Sequence, residues 1–157
     1  MIVVSDTSPI NYLLAIGQID LLPRLFGKII LPAAVVAELQ AADAPPGNRR
    51  WLAELPVQFE IRTATHPDSA LTLDAGECEA IALAEELHAA AVLMDEKKGR
   101  AVARQRGLPV VGTLGVLEKA AALGWLDLEV AFALLRQTNF FGSEELLQAA
   151  LRRAKKT

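Results

Sequence analysis

The acids Asp6, Glu38, Glu77 and Asp95 are the side chains best placed to do chemistry, because each stands alone against apolar sequence. Asp6 is the only charged side chain between Met1 and Ile19, and it closes the apolar run of Ile2, Val3 and Val4. Glu38 has Ala34, Val35, Ala41 and Ala42 around it at helical spacing. Glu77 lies on the helical stripe of Ala80, Ile81, Ala84 and Leu87, and Asp95 directly follows the apolar run 89–94. A buried acid without a partner is costly, and several sharing one pocket raise each other's pKa, so they cannot all stay ionised unaided. A divalent cation removes the conflict. With two histidines, His66 and His88, and one cysteine, Cys78, a zinc cluster is excluded and the ligands are oxygens, which favours Mg²⁺ or Mn²⁺. One or two such ions would activate a water and stabilise a leaving oxygen, which is the chemistry of phosphodiester hydrolysis. Lys97, Lys98, Arg100, Arg104 and Arg106 follow Asp95 closely and are candidates for holding a phosphate backbone.

Each of these residues also has a plain local role open to it. Asp6 precedes Thr7, Ser8 and Pro9 and can cap a helix. Glu38 can be a helix-surface acid at the core margin, and Glu77 can form a capping box with Asp74. The basic residues after Asp95 can be an ordinary exposed helix face, as can Arg152, Arg153, Lys155 and Lys156 at the tail.

The elements that must position the acids follow from periodicity. Strands are expected at 2–4, 28–31, 89–94 and 108–111, with an edge strand around Phe59 and Ile61. Helices are expected at 9–15, 19–25, from Pro32 to Leu39, 49–54, from about Asp74 to His88, 97–105, from 112–114 to Gly124, 128–137 and 144–155, the last with Ser143 as N-cap. Residues 43–48 read as a loop, and 63–71 carry little pattern. Strands alternating with helices imply right-handed crossovers and a three-layer α/β/α fold on a central parallel sheet of four to five strands. In such a sheet ligands bind beyond the carboxyl ends of the strands, so the four acids are expected on one rim.

A chain of 157 residues, 52% hydrophobic, reads as one domain over 1–157, with helices of about 127–157 packed as an extension. The lone cysteine, the absence of a leader pattern and the absence of a long apolar run lead to the expectation of a cytosolic protein with no membrane partner. A net charge of −3 and a pI near 5.4 argue against general stickiness for nucleic acid and leave a local basic patch as the means of binding it.

Taken together, Ser5-Asp6-Thr7-Ser8-Pro9, Leu31-Pro32 with Glu38, Gly76-Glu77-Cys78-Glu79-Ala80-Ile81, Asp95-Glu96-Lys97-Lys98-Gly99-Arg100 and Gly112-Thr113-Leu114-Gly115-Val116-Leu117 resemble PIN-domain nucleases. Nearly the whole chain is similar to a toxin-like branch related to VapC toxins. The resemblance implies a five-stranded parallel sheet, commonly a homodimer, with Mg²⁺- or Mn²⁺-dependent ribonuclease activity and a small antitoxin that blocks the site. It implies Asp6, Glu38, Glu77 and Asp95 as catalytic, metal-binding acids and Glu79 and Glu96 as auxiliary acids, with Thr7, Ser8 and Thr113 positioning ligands or waters. At the third acid this chain has Glu where many relatives carry Asp. The expected function is thus a metal-dependent ribonuclease of a toxin–antitoxin pair, acting on single-stranded or looped RNA, whose splayed bases leave phosphates accessible. The alternatives are a silent PIN-like module that binds nucleic acid or protein, and a phosphate-switch domain. The second would need a Lys after a late strand, and Val110-Val111-Gly112-Thr113 offers none.

Overall fold

Alternation of buried strands and amphipathic helices is what the chain builds. The structure, a computed structural model, describes residues 1–66, 72–140 and 144–155. In chain order the elements are β1 (Ile2–Ser5), α1 (Thr7–Ala15), α2 (Leu21–Phe26), β2 (Lys28–Pro32), α3 (Ala33–Leu39), α4 (Gly47–Ala53), β3 (Phe59–Arg62), α5 (Ala75–Glu86), β4 (Ala91–Leu93), α6 (Lys97–Gln105), β5 (Val110–Val111), α7 (Thr113–Ala122), α8 (Leu128–Arg136) and α9 (Glu144–Lys155).

The five strands form one all-parallel sheet in the order β3-β2-β1-β4-β5, as the α/β reading expects. β1 lies in the middle, with Val3 beside Ile29 of β2 and Ala91 of β4. Its β-branched residues are covered on both faces. Val3 joins a core with Ile10, Leu31, Leu93 and Leu117, whereas Val4 joins the opposite core with Ile30, Ile81, Val92 and Ala103. This double burial is why the strand reads as a continuous apolar run rather than an alternating one. Phe132 and Leu135 of α8 and Leu147 and Ala150 of α9 are buried in the first core, so the C-terminal helices pack on the same side of the sheet as α1 and α7. Among the described residues no helix is long and apolar enough to cross a membrane.

Several boundaries differ from the sequence expectation. α1 begins at Thr7 rather than Pro9, because Asp6 is still extended (φ −75, ψ 176) and the chain turns into the helix at once. Pro32 ends β2 opposite Arg62 instead of opening α3; at a strand end a proline loses no ladder bond it needs. The expected strand 108–111 shrinks to Val110–Val111, since only these residues pair with β4. The edge strand holds at Phe59–Arg62, and the helix expected at 97–105 forms over that range. Ser143, expected as an N-cap, lies outside the described residues.

The strand order reverses at β1: the chain steps outward through β2 and β3, then returns to the other side of β1 as β4. The carboxyl ends of β1 and β4 therefore flank the switch point where an open sheet leaves a crevice. Asp6 and Asp95 follow those two strands, and the Asp6 amide extends the pairing by donating to the Leu93 carbonyl at 2.9 Å.

Candidate active site

At this crevice a cavity of about 240 Å³ is lined by Asp6, Thr7, Ser8, Glu38, Thr72, Leu73, Asp74, Glu77, Glu96 and Lys98. Three of the four acids singled out from sequence meet there. β1 delivers Asp6, which is 5% exposed; it occupies the N-cap position of α1 but makes no side-chain cap bond, so its local alternative is not realised. Burial is the main cause that pushes its carboxyl up to about 7, and the neighbouring charges of Asp74, Glu77 and Glu38 add to it, against the pull of the Thr7 backbone amide.

Glu38 reaches the cavity from α3. Thr7 Oγ1 donates to its Oε2 at 2.5 Å, which fixes the carboxylate over the start of α1. It lies so close to α5 that a Cβ on Gly76 would stand 2.9 Å from Glu38 Oε1 and 3.2 Å from Asp6 Oδ1. The missing side chain at 76 is what lets the two acids approach each other across α5.

Glu77 divides its two oxygens between both roles foreseen for it. Oε1 accepts from the Asp74 amide at 3.3 Å while Asp74 Oδ1 accepts from the Glu77 amide at 2.8 Å, a complete capping box. Oε2 is buried with no hydrogen-bond partner among the described residues. Burial raises the Glu77 carboxyl, with the Asp74 charge second. Such an orphaned oxygen costs free energy unless a proton or a cation compensates it.

Asp95 is not among the residues lining the cavity. Both of its oxygens are held by Thr113, from the backbone amide at 2.7 Å and from Oγ1 at 2.6 Å. Burial raises its carboxyl, whereas the two Thr113 bonds and the Arg100 charge act in the opposite sense. Arg100 itself is held by a bond from Nη1 to the Met94 carbonyl at 2.8 Å. Asp6, Glu38 and Glu77 thus line one cavity, whereas the Asp95 carboxylate accepts both of its bonds from Thr113 at the start of α7.

The remaining candidates divide as clearly. Thr7, Ser8, Glu96 and Lys98 line the cavity. Lys97 and Arg104 are exposed on α6 and are not among the residues lining it. Arg106 pairs with Glu85 at 2.9 Å. Glu79 does not reach the cavity: its oxygens accept from the backbone amides of Ala34 at 2.8 Å and Ala64 at 3.0 Å. Asp74 also lines the cavity, although the sequence offers it only a capping role; its one signal is its place in the same turn as Glu77.

The donor chemistry fits an oxygen-seeking divalent cation, with an orphaned buried Glu77 Oε2 and an all-oxygen set of neighbours. Among the described residues, however, no three His, Cys, Asp or Glu side chains are gathered so as to hold a metal ion as they stand.

The fold has a counterpart in a PilT N-terminus domain protein from the hyperthermophilic archaeon Sulfolobus solfataricus. It superposes with a TM-score of 0.55 at 18% identity, over 76% of this chain and 93% of that one, a likeness of fold alone. No curated protein matches the chain. The family model described as DUF3368: PIN domain matches residues 2–156, and the chain therefore belongs to the PIN-domain family.

Proposed function

We propose that this protein is a Mg²⁺- or Mn²⁺-dependent endoribonuclease, the toxin of a toxin–antitoxin pair, related to VapC toxins and working as a homodimer in the cytoplasm. Membership of the PIN-domain family, a nuclease-type fold, supports the reaction class. The observation that carries the reading is Glu77 Oε2, buried with no hydrogen-bond partner among the described residues, on a side chain that lines one cavity with Asp6, Glu38, Asp74 and Glu96. In this reading Asp6, Glu38, Glu77 and Asp95 would be the acids that hold the ion. When bound, the ion supplies a water of lowered pKa and charge neutralisation at the scissile phosphate.

The chain's own residues do the rest. Thr7 Oγ1 holds the Glu38 carboxylate at the cavity, and Thr113 orients the Asp95 carboxylate through its amide and Oγ1. Lys98, at the cavity wall, holds the substrate phosphate, and Arg100 and Arg104 continue the contact along the RNA backbone. Glu96 limits how deeply a phosphate enters without an ion to offset the repulsion.

A second reading, a silent PIN-like module that binds RNA or protein, draws on one specific observation: Asp95 is turned away and no ready group of three acids stands at the cavity. Cleavage of varied RNAs by the metal-loaded wild type, compared with Asp6→Asn and Asp95→Asn, separates the two. The nuclease reading expects each variant to lose about two orders of magnitude, which is about 2.7 kcal/mol of transition-state stabilisation at tenfold per 1.36 kcal/mol. Wild-type cleavage no faster than that of the variants would leave the binding module.

A further inference from the structure

α3 carries Glu38 to the cavity, yet nothing in its own sequence caps its start. Its N-cap residue is Pro32, which has no side-chain acceptor, so the first-turn amides must find partners elsewhere. Glu79 of α5 provides one, accepting the Ala34 amide on Oε1 at 2.8 Å. Its other oxygen accepts the Ala64 amide, just beyond β3, at 3.0 Å. One carboxylate thereby ties the exits of two adjacent strands to the helix that carries Glu77.

The contacts between α3 and α5 run in opposite chain order. Glu79 meets Ala34 near the start of α3, while Gly76, one turn earlier on α5, lies beneath Glu38 near its end. These two points set the register of the pair. A slide of α3 along α5 would carry Glu38 off the open space above Gly76 and away from both Asp6 and Thr7 Oγ1.

We infer that Glu79 is a positioning residue, whose two backbone bonds lock α3 in the register that brings Glu38 to Asp6 and Glu77. It acts through Glu38 and not as an auxiliary acid in the cavity. The inference rests on the reading of Glu38 as an ion-holding carboxylate, and the test keeps the two apart.

The variants are Glu79→Ala and Glu79→Gln, the second keeping one acceptor oxygen and presenting an N–H group to the other amide. In protein stripped of divalent ions, the carboxyl ¹³C resonance of Glu38 reports its contact with Thr7. Glu79→Ala is expected to shift that resonance and to speed hydrogen exchange at Ala34 and Ala64. Titration with Mn²⁺ should then show binding weakened about 10- to 100-fold, the range found when residues behind metal ligands are removed, with Glu79→Gln between it and wild type. If the Ala34 and Ala64 amides open while the Glu38 resonance stays in place, Glu79 is a structural clip and the inference is overturned. Wild type that binds no Mn²⁺, or Asp6→Asn that binds it equally well, removes the metal reading instead, and the Glu38 resonance still decides the positioning role. Should the alanine variant fail to fold, the glutamine variant carries both measurements.

Discussion

Gly99 of α6 lies against the unpaired oxygen of Glu77: a Cβ at position 99 would stand 2.5 Å from Glu77 Oε2 and 2.5 Å from Met94 Sδ. Two helices from different crossovers meet here, and the absence of one side chain leaves Glu77 its place.

This contact predicts the effect of Gly99→Ala. Replacing a helical glycine by alanine ordinarily gains up to about 1 kcal/mol, whereas overpacking a filled site costs about 1–3 kcal/mol. Both neighbours are buried side-chain ends, so Glu77 and Met94 must shift. The variant is expected to unfold near or slightly below the wild-type temperature while losing most of its Mn²⁺-induced stabilisation. Thermal unfolding with and without Mn²⁺ measures both; unchanged stabilisation by the ion would disconnect Glu77 from metal binding.

The Thr113 clamp on Asp95 predicts a second effect. Thr113→Val keeps the shape and deletes the donor to Oδ2, a part-buried hydrogen bond whose loss costs about 1 kcal/mol. Because that hydroxyl favours the ionised acid, its loss should move the Asp95 carboxyl further up. Urea unfolding and a carboxyl ¹³C titration of Asp95 check the two parts, and Thr113→Ser should restore both.

The pH dependence of the ion-free protein follows from Asp6. Its carboxyl is raised from 3.8 to about 7 on folding, so between these values the folded state binds more protons than the unfolded one. Stability from this group is therefore full below about 4, falls as pH rises toward 7 and levels off beyond, by up to about 1.4 kcal/mol per pH unit. Chemical unfolding in EDTA should show greater stability at pH 5 than at pH 8, and Asp6→Asn should reduce the difference, the remainder coming from Glu77, whose carboxyl burial likewise raises to about 7. Mn²⁺ should reverse the trend, since protons compete with the ion for the same oxygens. A flat EDTA profile for wild type would contradict the burial of an ionisable Asp6.

Lys98 and Arg100 are expected to differ as RNA contacts. Lys98 is exposed at the cavity wall and carries no structural bond of its own among those described, so Lys98→Ala should leave stability near wild type. Its removal should lower affinity for single-stranded RNA and reduce the salt slope of log K by about 0.7, the value for one lost phosphate contact. Arg100→Ala should also destabilise the protein, because the guanidinium holds the Met94 carbonyl at 2.8 Å. Binding isotherms at several salt concentrations, read beside thermal unfolding, distinguish the two.

What the sequence by itself determined is the frame. The β-branched run before Asp6 reads as a strand covered on both sides, and the alternation of strands with glycine-stopped helices implies a parallel sheet. Gly27 and Gly107 end their helices at φ +86 and +76, conformations that a local pattern reveals because they depend on one residue. Glu77 is buried together with Ala80, Ile81 and Ala84, the stripe on which the helical period places it. What only the tertiary structure decided is where each carboxylate points. Glu79 faces backbone amides supplied by α3 and by the segment after β3, Asp95 is turned by Thr113 at the start of α7, and Asp74 enters the cavity beside Glu77. Periodicity fixes the face of a helix or the end of a strand, a property of the local backbone. A side chain's direction is set by the donors and charges that distant segments bring to it, and those become neighbours only when the sheet closes around β1.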